Sequence, residues 1–221
     1  MKNILILLFI TYSILSFGQR ELRLKGLQNA DTIGYYDNGQ LKSEMTFKDG
    51  KRDGVFRMWH ENGKLMYEAT FKDSLPVIAR TWRENGQLWS EGRFKDGRGS
   101  VVMREFYENG KLSKEVNYKE GKEEGVQKFW YENGQLMNET NYKDGERDGL
   151  LRAWYENGQL KKEENYKEGE HEGLQRGWHE NGQLGGQGNI KDGKKEGFKR
   201  TWNENGQLKY ERNYKNGVQI D

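Results

Sequence analysis

Residues 131–136 read YENGQL, and these six letters return, intact or with one or two changes, along most of the chain. They appear as YDNGQL at 36–41, HENGKL at 60–65, RENGQL at 83–88 and YENGKL at 107–112, then as YENGQL again at 155–160, HENGQL at 179–184 and NENGQL at 203–208. The Asn-Gly pairs are 24 residues apart, except for one interval of 23 between Asn62 and Asn85. A fixed period of this length marks a repeat architecture, in which each unit buries its faces against its neighbours.

Aligning the units outward from Asn-Gly exposes further columns. Three residues before each Asn stands an aromatic: Tyr35, Trp59, Trp82, Phe106, Trp130, Trp154, Trp178 and Trp202. Two residues after each Gly stands Leu41, Leu65, Leu88, Leu112, Leu136, Leu160, Leu184 or Leu208. Six residues further lie Phe47, Phe71, Phe94, Tyr118, Tyr142, Tyr166, Ile190 and Tyr214, followed by a second turn such as KDGKRDG at 48–54. Each unit therefore reads as strand, Asn-Gly turn, strand, Gly-rich turn. Asn and Gly both tolerate the positive φ of a tight hairpin turn, and aromatic residues favour strands. Two glycine-bearing turns per unit leave no room for a helix. The fold expected is all-β: an elongated single-layer antiparallel sheet of tandem 24-residue hairpins, with about sixteen strands and a length on the order of 75 Å. Stability is expected from stacking of Trp, Leu and Phe/Tyr along the columns.

The next column decides the pairing. Two residues before each aromatic stand Arg57, Arg80, Arg104, Lys128, Arg152, Arg176 and Arg200; three after each Leu stand Glu44, Glu68, Glu91, Glu115, Glu139, Glu163, then Gln187 and Glu211. A two-residue Asn-Gly turn places Arg57 opposite Glu68, and likewise along the array, so that the two ladders cancel as an ion-pair network. A three-residue turn with a glycine bulge places Trp opposite Leu instead. In either register the basic and Trp columns share one face, because they lie two residues apart on a strand. That face, with Trp59, Trp82, Trp130, Trp154, Trp178 and Trp202 beside Arg57, Arg80, Arg104, Lys128, Arg152, Arg176 and Arg200, is the candidate binding surface; aromatic and Arg side chains are enriched at binding hot spots. The basic column also reads as an anion-binding stripe, and the Trp column as a core seam. Three places break the pattern: 72–81, one residue short and holding the only Pro; 95–101, which lacks its second Gly; and GGQG at 185–188. The two turns read as drift in a tolerant loop or as a kink or ligand notch, and GGQG, which strips side chains from one strand, reads as weakening by drift.

The pattern WYENGQL followed by Y-K-[DE]-G resembles the variant MORN repeat of bacterial proteins and is similar to the YwqK-type, antitoxin-like family. The resemblance covers about 32–217. It implies a β-hairpin array that binds or scaffolds, with protein partners and phospholipid as the associated ligands and with no catalytic residues to assign.

The amino terminus differs from the rest. Lys2, an apolar run from Ile4 to Phe17, and small residues Ser16 and Gly18 before Gln19 read as a secretory signal over 1–18, cleaved after Gly18. Retention as an anchor is the alternative; no Cys follows, which excludes a lipoprotein linkage. Residues 19–31 then form a linker and 32–221 the array, and the mature protein is expected to be secreted or periplasmic. Of the 221 residues 33% are hydrophobic, 33% charged and 13% aromatic, at a mean hydropathy of −1.15. The aromatic content and strict period argue for order despite that polarity. A net charge of +2 gives no basic field for nucleic acid. The absence of Cys excludes disulfides and thiolate chemistry. His60, His171 and His179 have no metal-ligand spacing, and most of the acidic turns carry Lys or Arg between their carboxylates, unlike calcium loops. No polar residue departs from its column as a catalytic group would. No cofactor is expected and the chain is read as a non-enzyme: a scaffold for a protein partner, or else a binder of phospholipid headgroups or glycan, or an antitoxin-like neutraliser. Short aromatic hairpins also bind choline and glucan, but with more aromatics per unit than here.

Overall fold

The computed structural model describes residues 32–95 and 99–220. The expected signal at 1–18 and linker at 19–31 lie outside the described residues, as do 96–98 of the irregular turn at 95–101. The described residues form nineteen strands in a single sheet and no helix. Each strand pairs antiparallel with its chain neighbours, from Thr32–Tyr35 on Leu41–Lys48 to Val218–Gln219 on Leu208–Lys215. Two strands are interrupted: Lys122–Glu123 and Gly125–Trp130 both pair with Leu112–Lys119, and Glu170–His171 and Gly173–Trp178 both pair with Leu160–Lys167. Nineteen less these two gives seventeen physical strands, beside the sixteen expected. The first and last strands are paired on one side only, so the sheet is open.

The two registers weighed from the sequence both occur, in one hairpin. Trp59 faces Leu65, one extra residue then bulges the second strand, and Arg57 faces Glu68. The Asn-Gly turn is therefore a three-residue loop. His60 O accepts the Gly63 N–H at 2.9 Å, the His60 N–H donates to Lys64 O at 2.8 Å, and Gly63 alone of the Asn-Gly pair takes a positive φ, 79°. Of the two turns the sequence left open, the three-residue turn with a glycine bulge is the one present. A type I turn closed by a left-handed glycine satisfies the same hairpin with Asn in ordinary conformation. The two-residue mirror-image turn sits at the other end of every unit but the one closed by Lys95 and Ser100. Asp49 and Gly50, at φ 50° and 71°, join the paired Lys48 and Lys51.

Past that second turn the ladder shifts by two residues between the Phe47–Arg52 and Met45–Phe56 pairs. Gly54 (φ 114°) turns the bulge, where a Cβ would meet Thr46 Cβ at 3.2 Å. The irregular turns are absorbed by this bulge. At 72–81 the missing residue shortens the shift to one, between Phe71–Pro76 and Thr70–Ile78. After 95–101 the ladder runs from Lys95–Ser100 to Ser90–Glu105 with no shift at all. In both cases Arg and Glu regain their places opposite each other.

Alternation along the strands separates a packed face from an open one. The packed face carries a core of Phe56, Tyr67, Ala69, Phe71 and Ala79, against which Met45, Met58 and Phe94 pack. It continues through Val116, Tyr118, Gln127, Thr140, Leu151, Tyr166 and Tyr214, all buried. The Phe/Tyr column therefore supplies burial as expected, whereas the Trp and Leu columns stand half-buried or exposed on the other side.

Candidate interaction surface

The open face has three lanes. The middle lane is a zipper of Arg and Glu. Arg57 Nε donates to Glu68 Oε2 and its Nη1 to Glu44 Oε1, each at 2.8 Å. Arg80 reaches Glu91 at 2.8 Å and Glu68 at 3.6 Å. Arg104 reaches Glu115 at 2.7 Å and Glu91 at 3.9 Å. Arg152 reaches Glu163 at 2.9 Å and Glu139 at 3.6 Å. Arg176 leans on Glu163 at 3.5 Å, and Arg200 pairs with Glu211. Lys128 lies between Glu115 and Glu139 in the ladder, and Gln187 leaves the rung between Arg176 and Arg200 without a carboxylate. The hydrogen bonds that Arg57 donates to Glu68 and Glu44 raise its pKa. For Glu91, burial pushes the carboxyl up, but hydrogen bonds from Arg93 and Arg80 overcome it and hold the group below the usual carboxylate range. The cations and anions of this lane thus neutralise one another in place.

The second lane is the Trp column. It lies two residues beyond the basic column on the same strands, so the thirteen candidate residues share the open face as expected. Each Trp is half-buried, and its main-chain carbonyl is capped by the preceding unit. Tyr36, Tyr107, Tyr131 and Tyr155 donate their hydroxyls to Trp59 O, Trp130 O, Trp154 O and Trp178 O at 2.6–2.8 Å. The ring Nε2 of His60 does the same for Trp82 O and that of His179 for Trp202 O, at 3.1 and 2.9 Å. Arg83 takes this role for Phe106 O at 3.2 Å. His171 instead lies against the Tyr166 hydroxyl at 3.2 Å.

The third lane was missed in the sequence. Two residues before each basic residue stand Val55, Ile78, Val102, Val126, Leu150, Leu174 and Phe198, an aliphatic column as regular as the Trp column. It grows more open toward the carboxyl end: Val126 and Leu174 are each 37% exposed and Phe198 is 51% exposed. Asn117, Asn141 and Asn165 hold the backbone here by donating Nδ2 to Val126 O, Leu150 O and Leu174 O at 2.7–3.1 Å.

The YENGQ letters build the margin of this face. Asn109 Oδ1 accepts the Lys111 N–H at 2.9 Å, while its Nδ2 donates forward to Glu132 O at 2.8 Å. Asn62, Asn133, Asn157 and Asn181 also donate forward, to Glu84 O, Glu156 O, Glu180 O and Glu204 O. Gln40, Gln135, Gln159 and Gln183 reach over the next turn, so that a Cβ on Gly158 would lie 2.2 Å from Gln135 Oε1. Stacking of turn on turn accounts for the fixed letters without any chemistry of their own.

A ladder of 24-residue hairpins with Gly-bearing turns at both ends defines a tandem β-hairpin repeat protein. The MORN repeat variant family matches residues 28–49, 52–73, 77–96, 101–120, 123–144, 147–168 and 195–216, more than half of the chain, and the protein belongs to that family. The unit at 171–192 is skipped by the match although it folds like the others. MORN repeats are commonly scaffolds for binding, and the family is generally non-catalytic. No curated protein matches the chain. Among solved structures, the chain is similar to a mutant of S. aureus TarM in complex with Fondaparinux, alpha-GlcNAc-glycerol and UDP, at 14% identity and a TM-score of 0.32, covering 43% of this chain and 19% of that one. A second TarM crystal structure is similar at 12% identity and a TM-score of 0.29, over 70% of this chain and 24% of that one. At these scores neither the fold nor the activity of TarM transfers to this protein.

Proposed function

We propose that the protein is a non-catalytic scaffold that binds a protein partner along its open face, in the cell envelope or outside the cell. The observation that carries this reading is the aliphatic lane beside a neutralised charge lane, with Phe198, Leu174 and Val126 its most exposed members. Apolar side chains in a row, unopposed by net charge, favour a polypeptide surface over a phosphate-bearing one. The Arg residues, already held by Glu, serve register and neutrality, while the Trp and aliphatic lanes make the contact. Repetition suits an extended or multivalent partner. The envelope assignment rests on the signal expected at 1–18.

The test is capture from envelope extract by purified 19–221, compared with a Val126→Ser/Leu174→Ser/Phe198→Ser variant and a Glu132→Ala control at the turn. A protein kept by the wild type and the control but lost from the triple variant supports the scaffold. Retention by all three, or binding only to phospholipid vesicles or glycan, overturns it. Retention of 1–18 with a cytoplasmic toxin as the captured protein moves the reading to an antitoxin-like neutraliser.

A further inference from the structure

The packed face is hollow in one unit. At 171–192 a recess of about 340 Å³ opens over Gly177, Gly186 and Gly188, walled by Gln175, Lys199 and Tyr214. The backbone does not call for glycine at these three positions. None has a positive φ, and an added Cβ would meet only ordinary neighbours: Lys161 O at 3.8 Å, Arg200 O at 3.6 Å and Lys199 Cγ at 3.6 Å, respectively. The turn glycines are different, since they need positive φ. So is Gly185, where a Cβ would press on the His179 ring at 3.0 Å. Glycine inside a strand weakens it and often marks close approach of another group.

The register identifies what is missing. The Gly177–Gly186 and Gln175–Gly188 pairs are the counterparts of Met58–Tyr67 and Phe56–Ala69 in the second unit. There the Tyr67 ring is 2% exposed and meets Phe56 edge-on, with centroids 5.7 Å apart. The recess thus has the footprint of a tyrosine and a methionine side chain taken away. Two of its lysines are committed, Lys162 to Glu164 at 3.0 Å and Lys195 over the Tyr214 ring at 5.0 Å, while Lys199 adds a third cation to the wall. Gln175 Nε2 donates to Asn165 O at 3.3 Å, but Gln175 Oε1 is buried without a partner. A buried acceptor left unpaired is costly, and a donor arriving with a ligand relieves it. The recess therefore asks for a flat, largely apolar group bearing one hydroxyl donor. A sugar, with several hydroxyls to satisfy, finds one buried acceptor without a partner.

We propose that this recess is a docking hole for a tyrosine side chain presented by a partner polypeptide, the phenol O–H donating to Gln175 Oε1 and the ring taking the place that Tyr67 occupies in the second unit. The hole is on the face opposite the aliphatic lane and stands or falls independently of it. Its unit, 171–192, is the one that departs from the family pattern.

The experiment is a titration of the purified protein with N-acetyl-tyrosinamide, N-acetyl-phenylalaninamide and N-acetylglucosamine, followed by amide NMR shifts. The tyrosine amide is expected to bind in the millimolar range and to shift Gly177, Gly186 and Gly188, with the phenylalanine amide at least tenfold weaker. Gln175→Leu should erase that difference. Gly186→Tyr should fill the hole from within, raise Tm and abolish binding; Gly186→Ala, a smaller change, should only weaken it. Preference for the sugar, equal binding of both amides to the wild type, or no shift with any probe overturns the proposal.

Discussion

The second and seventh units share one backbone and differ in what stands on it. Both place Trp opposite Leu, bulge by one residue, and restore the ladder at Arg57–Glu68 and at Arg176–Gln187. Both turns begin with a histidine capping the next Trp carbonyl. Yet one unit packs Phe56, Tyr67 and Ala69 into the core, and the other offers glycine or glutamine at the matching places. Register in this array is held by turns, bulges and main-chain ladders. The packed face sets local stability and remains free to vary from unit to unit, as expected when each repeat contacts only its neighbours.

The largest effect should come from carving the seventh unit's hollow into the second. Tyr67→Gly is expected to cost about 3–5 kcal/mol in chemical denaturation, while strand pairing on either side survives. Loss of the flanking ladder in hydrogen exchange would break the comparison, because it would make the core the keeper of register. Next comes the zipper. Glu91 is the most buried carboxylate among these rungs, and Glu91→Gln should cost about 1–3 kcal/mol. Since its folded pKa lies below the ordinary value, its contribution is full above about pH 4.3 and is lost as pH falls through the lower folded value. The difference in Tm between wild type and Glu91→Gln should shrink over that acid window. A difference that holds constant would place the effect in packing rather than charge.

Smaller effects test the more exposed rungs. Arg152→Glu should cost about 1 kcal/mol, and the added Glu163→Arg should recover most of it; no recovery in Tm would separate the two residues. Gln187→Glu, which supplies the missing carboxylate between Arg176 and Arg200, should gain about 0.5 kcal/mol. The smallest change is Tyr118→Phe. The Tyr118 hydroxyl is buried without a partner, so its removal should be neutral or stabilising by up to about 1 kcal/mol. Burial, with Glu123 and Glu105 adding to it, pushes the Tyr118 pKa up to about 12. Ionising the phenol therefore disfavours the fold: it costs nothing below about pH 10, and stability falls as pH rises from there toward the folded value. Alkaline melts should show a fall in the wild type that Tyr118→Phe lessens.

Much of this was legible in the letters, because a period-24 repeat converts side-chain columns directly into cross-strand partners. The Arg57–Glu68 and Trp59–Leu65 pairs were both readable, but as rivals. A three-residue loop plus a one-residue bulge returns the same register as a two-residue loop, and counting residues cannot tell them apart. The two-residue mirror-image turn was one of two readings at Asn-Gly and is found instead at Asp49-Gly50, since either dipeptide tolerates it. The aliphatic lane from Val55 to Phe198 was in plain view as a column, but aliphatic residues on a strand suggest core until the sheet proves to be one layer thick. The recess was readable only as GGQG. Its depth depends on Gly177 and Gln175, nine and thirteen residues away from Gly186 and Gly188, and on the orphaned oxygen of Gln175.

The forward bond from the turn Asn to the next turn's carbonyl, made by Asn62, Asn109, Asn133, Asn157 and Asn181, also sets a pitch. Two strands per unit, at roughly 4.8 Å each, space equivalent side chains by about 9.6 Å along the array. A polyproline II chain advances roughly 3.1 Å per residue with three residues per turn, so every third residue of such a chain laid across the strands faces the same side chain one unit on. The protein is in this sense a ruler graduated in threes. A sequence with that beat stays in step with it over several units, and one with the two-residue beat of a β-strand drifts out of phase.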